Sequence, residues 1–139
     1  MPARFGLAEA RHVLDAALDK ADEIGQPMDI AVVDDGGHLL AFARQDGAIR
    51  AGIDIAVRKA RTAILMGMTT EQLGMAAAPG GSLYGIEVTN GGLVIFGGGI
   101  PLAEAGGEVV GAIGVSAGNV EQDITVAQAG VEAFDKHAG

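Results

Sequence analysis

Between residues 7 and 24, apolar side chains recur at Leu7, Ala10, Leu14, Ala17, Leu18, Ala21 and Ile24. This spacing lays one stripe along a helix and predicts an amphipathic helix over 7–24. Gly25 stands where a left-handed cap ends a helix, and Pro27 prevents its continuation. The pattern then shortens. Residues 30–34 and 38–44 are apolar runs separated by Asp35, Gly36 and Gly37, which predicts an antiparallel hairpin. Apolar residues fall on both alternation faces of the first run, so that strand is expected to be covered on both sides. Asp34 and Asp35 are expected to shape the turn through side-chain to backbone hydrogen bonds.

A second helix is predicted over 50–66, with Ile53, Val57, Ala60 and Ile64 as its core stripe. An offset strip of Ile55, Ala63 and Met66, with Lys59 and Thr62 among them, is expected to meet another subunit. Lys59 then either extends its ammonium out of that contact or offers it to an anionic ligand. Arg58 is expected to pair with Asp54, one turn away. Thr69 and Gln72 form a capping box for a short helix ending near Ala77. Pro79, Gly80 and Gly81 stop it, and a loop over 82–90 carries Tyr84 and Glu87. The β-branched runs 93–96 and 109–115 are predicted to be neighbouring strands, joined through a loop containing Gly97, Gly98, Gly99, Ile100 and Pro101. Asn119 and Gln122 cap a last helix whose apolar face holds Val120, Ile124, Ala127, Val131 and Phe134, with His137 in a fraying tail.

The order helix, hairpin, helix pair, hairpin, helix predicts an α+β domain with an antiparallel sheet and helices packed on it. The 139 residues fit one domain. With almost half the residues apolar but many of them Ala, and with 23 Gly besides, burial between subunits is expected to add to the core. A net charge of −9 repels phosphate backbones, so nucleic acid is not an expected partner. The absence of cysteine excludes thiolate catalysis and thiolate metal ligation. The N-terminal stretch has no long apolar segment, so no membrane span is expected and the cytoplasm is the expected compartment.

Chemistry-bearing residues are sparse. His12 points away from the helical stripe toward either solvent or a neighbouring subunit, and His38 opens a strand. The amides of Gly97, Gly98 and Gly99 are candidate anion donors, Lys59 a candidate counter-charge, and the segment of Tyr84 and Glu87 a candidate cover. These parts are expected to converge on one pocket with the N-terminal half of the second helix.

At residue level, AVVDDGGHLLAFARQDGA, AVRKARTA, GGGIPL and VGAIGVSAGNVEQD, in that order, resemble the GlcG/HbpS family, which includes the C-terminal domain of PduO. The resemblance covers nearly the whole chain. It implies a profilin-like antiparallel sheet with packed helices, dimers that assemble into rings such as octamers, and binding of heme or a related tetrapyrrole in some members. In cobalamin-associated members a first-helix histidine is associated with heme, and His12 is the matching position, hence the candidate iron ligand.

Three functions compete on these grounds. The leading one is small-molecule binding, with heme favoured and His12, His38, Lys59, Tyr84 and residues 97–101 as contacts. The second is general acid/base catalysis on a small carbonyl or hydroxy-acid metabolite, with Lys59, Glu87 and Asp46 as its catalytic groups. The third is a structural or regulatory homo-oligomer.

Overall fold

The computed structural model describes residues 4–138, so the first three residues of the N-terminal stretch and Gly139 lie outside the described part. The amphipathic run forms α1, Leu7–Ile24, and ends on Gly25 at φ 70°. Strands β1, Asp29–Asp34, and β2, Leu39–Arg44, form the expected antiparallel hairpin. Asp34 Oδ1 accepts from the amides of Gly36 and His38, which fixes the turn. Helix α2, Ala51–Met66, and the short α3, Thr70–Ala76, follow. Thr69 and Gln72 close the predicted box at the start of α3, with both bonds at 3.0 Å. Strands β3, Gly99–Ala103, and β4, Val109–Ser116, precede α4, Val120–Ala138. Asn119 and Gln122 form the reciprocal cap of α4.

The four strands run β2-β1-β4-β3, every neighbouring pair antiparallel. Helices α1 and α4 cover one face, packing Val13, Ala17, Val126, Ala127 and Phe134 over Ile30, Val32, Ile113 and Val115. Helix α2 covers the other, placing Ala60 and Ala63 over Val33 and Ala112. The central β1 is therefore buried on both sides, and no described helix is long and apolar enough to cross a membrane.

Two expectations need correction. Residues 93–96 are not a strand: they join no ladder, and the amides of Leu93 and Val94 go to the Glu87 carbonyl and the Thr62 hydroxyl. Their hydrophobicity reflects burial of Leu93 and Val94 outside the sheet. The strand begins instead on Gly99, inside the expected loop, and Pro101 is tolerated because β3 is an edge strand.

The buried side of α2 is also rotated from the expected stripe. Gly52, Ala56, Lys59, Ala60, Thr62 and Ala63 face inward, while Ile53 is 37% exposed. Gly114 on β4 explains the choice, because a Cβ there would enter the backbone carbonyl of Ala56. The helix lies so close to the sheet that only small side chains fit along most of the contact. Lys59 and Ala63, expected in a subunit contact, are consumed by this internal packing.

Candidate functional site

Lys59 lies on α2, reaches the junction of β4 and α4, and is completely buried. Its ammonium donates to the Val115 carbonyl at 2.8 Å and to Asp123 Oδ2 at 3.0 Å, and stands 5.0 Å from the centre of the Phe96 ring. Asp123 Oδ1 accepts from the Gly118 amide. Burial pushes the Lys59 ammonium below its ordinary range and the Asp123 carboxyl above its own, each effect opposed by the partner's charge. The sequence placed Lys59 at a subunit contact or a ligand. The structure corrects this: its hydrogen bonds join α2, β4 and α4.

The glycine run packs around the same residue. The Gly98 carbonyl accepts from the Val115 amide, and a Cβ on Gly98 would come within 2.6 Å of Lys59 Nζ. The Gly99 amide, a predicted anion donor, is already held by Thr70 Oγ1 at 2.9 Å. Gly97 meets Ile124 and Val120, while Ile100 and Pro101 continue β3. The glycines therefore admit neighbouring backbone and side chains.

Part of the expected convergence does occur. Arg58 Nη1 donates to the Gly91 carbonyl and Arg61 Nη1 to the Asn90 carbonyl, tying the end of the 82–92 segment to α2. A cavity of about 320 Å3 is lined there by Asp54, Val57, Arg58, Arg61, Asn90 and Gly91, without any of residues 97–101. Arg58 makes the expected pair with Asp54 at 2.8 Å. Tyr84 is 70% exposed. Glu87 lies on a short 3-10 turn, Ile86–Val88, with Oε1 buried and unpartnered.

His12 is on the outer face of α1, as its helical position predicts. Sequence reasoning missed its neighbour, His137, which belongs to α4 and brings its ring centre to 4.8 Å, tilted by 41°. Both imidazoles are exposed. Glu9, one turn before His12, accepts from the Gly6 amide, and this bond holds its carboxyl below the ordinary range. Among the described residues no group of three or more His, Asp or Glu side chains is arranged to hold a metal ion.

The remaining candidates lie apart. His38 is exposed at the β1–β2 turn. Asp46 lines a cavity of about 500 Å3 with Asp22, Arg44, Gln45, Gln26 and Pro27, where α1 ends and β2 leaves the sheet.

Comparison with known proteins adds the family. The model for "Haem degrading protein HbpS-like" matches residues 5–132. An "uncharacterized 15.0 kDa protein" from the dhaT-dhaS intergenic region of Citrobacter freundii is 42% identical over 135 residues, spanning 96% of this chain and 94% of that protein. The crystal structure of Klebsiella pneumoniae protein ORFY superimposes with a TM-score of 0.91 at 38% identity, covering 96% of this chain and 92% of that one. A crystal structure described as a PduOC:heme complex matches with a TM-score of 0.86 at 33% identity, covering 91% of each chain. Sequence, strand order and helix placement thus agree: the chain belongs to the HbpS-like family, related to GlcG and the C-terminal domain of PduO.

Proposed function

We propose that this chain binds heme or a related tetrapyrrole on its outer α1–α4 face, with His12 as the iron ligand and a second copy of the chain closing the site. The observation that carries the reading is the exposed His12 ring 4.8 Å from His137. A heme site needs an axial donor, cations for the propionates and apolar walls. The residues present fit the first two: His12 and His137 supply nitrogens, and exposed Arg11 and Lys136 adjoin them in sequence. Exposed Ala8, four residues before His12 on the same helix face, leaves room for a flat ring. One helical face gives one wall, so a homo-oligomer supplies the other, in keeping with the exposed apolar residues Leu7, Ile49, Ile53 and Leu65 elsewhere on the surface.

When bound, heme supplies the redox and ligand-exchange chemistry of its iron. The chain's own work is to present an imidazole nitrogen, pair the propionates and exclude water. The complex between heme and the structurally similar PduOC supports this reading. A general acid/base enzyme is less well supported, because Lys59, Glu87 and Asp46 share no hydrogen bond or ion pair, and Lys59 is spent on Val115 and Asp123.

Titration with hemin tests the proposal. The wild type is expected to develop a sharpened, shifted Soret band, His12→Ala to lose it, and His137→Ala to weaken it. A wild-type spectrum identical to free hemin defeats the binding reading, and an unchanged titration in His12→Ala removes His12 as the ligand.

A further inference from the structure

Asp29 is the first residue of β1, and its carboxylate is the one buried side chain among the described residues with both oxygens unpartnered. Its neighbours are few and specific. It pairs in the ladder with Arg44 of β2 on one side and Ser116 of β4 on the other. From α2 it is pressed by Gly52, where a Cβ would collide with Oδ2. The same Cβ would lie 3.4 Å from Ala117, a non-glycine residue held at φ 103°. Three features therefore meet at one point: an unpaired buried acid, a glycine that makes room for it, and strained backbone.

We propose that Asp29 is a built-in proton sensor: the protonated carboxyl lets the first turn of α2 seat on the sheet, and ionisation releases that turn. The geometry explains the coupling. A neutral carboxyl tolerates this dry position, whereas a carboxylate, which makes no hydrogen bond there, must draw water in. Water enters most easily where packing is weakest. At the start of α2, Arg50 gives no side-chain cap, and the Gly52 and Ile53 amides make only short-range bonds to Ile49 and Arg50. Ile49 and Ile53 are exposed.

Arg44 faces it from β2 but is exposed, and Arg50 stands exposed at the N-cap of α2. Ser116 from β4 and Gly52 from α2 carry no charge. Burial raises the Asp29 carboxyl above its ordinary range, with Arg44 opposing. Movement at residues 49–52 would reach the wall of the cavity formed by Gln45 and Asp46, because Ala48 is bonded to the Gln45 carbonyl.

The experiment follows the Asp29 carboxyl by 13C NMR from about pH 4 to about pH 8, alongside amide-exchange protection at Gly52 and Ile53. In the wild type, protection is expected to fall by about tenfold or more as the carboxyl ionises, beyond the intrinsic pH effect on exchange. In Asp29→Asn it should stay constant over the same range. The proposal is overturned if the carboxyl titrates at the ordinary aspartate position, if protection is flat while it titrates, or if Asp29→Asn loses protection in parallel with the wild type. Should Asp29→Asn fail to fold, the wild-type carboxyl and protection curves decide by coinciding or not.

Discussion

The two layers covering the sheet treat their chemical groups in opposite ways. Under α2, the side chains facing inward include a lysine, a threonine and an aspartate, and the aliphatic residues Ile53 and Leu65 face outward. Under α1 and α4, the interior is almost wholly apolar, closed by Phe5 and Phe134 edge to face at 5.7 Å, and the histidines face outward. The contrast has a physical cause: Gly114 and the alanines of α2 bring backbones so close that bulky side chains are excluded, leaving the Lys59 stem and polar bonds to hold the layer. Apart from the unpaired Asp29, the polar groups that point inward under α2 tie elements of the fold together, while the two histidines point outward.

Substitutions that break this division have graded effects. Gly114→Val should be the most severe, because its side chain enters the α2 backbone; a loss beyond about 4 kcal/mol would appear as an absent cooperative transition in circular dichroism. Lys59→Met should follow, costing about 3–5 kcal/mol by leaving Asp123 buried without its cation. Urea denaturation measures it, and adding Asp123→Leu should restore a large part of the loss.

A third test concerns the acid on the α2 side that has no partner. The folded state keeps the Asp29 proton to higher pH than the unfolded chain does. Its contribution to stability is therefore complete below the ordinary aspartate pKa and is lost as pH rises through the raised value. Asp29→Asn should gain stability relative to wild type as pH rises through that window; parallel urea curves at all pH values would contradict it. The smallest effect is expected from His12→Ala, within about 0.5 kcal/mol, since it removes an exposed side chain from the layer whose interior is already apolar.

This division also explains what the sequence revealed. Helix α1, the β1–β2 hairpin and the caps at Thr69 and Asn119 were legible because each depends on local periodicity or a short-range hydrogen bond. The face of α2 was not, since periodicity weighs Ile53 and Val57 above Gly52 and Ala56, whereas the deciding residue, Gly114, lies on a distant strand. The run 93–96 reads as a strand because buried aliphatic residues look alike in or out of a sheet. His12 was legible from its helical position, but its proximity to His137 depends on how α1 meets α4. Asp29 sits one residue before the apolar run that marks the strand, and nothing local announces that it is buried.

The most direct test of the division between inward and outward chemistry measures thermal stability and hemin affinity together in Lys59→Met and His12→Ala. The account predicts a crossed result: Lys59→Met lowers the melting temperature yet, at a temperature where it remains folded, retains the histidine-type Soret band, while His12→Ala melts like wild type and loses that band. A His12→Ala protein that binds hemin normally, together with a folded Lys59→Met protein that does not, would contradict it.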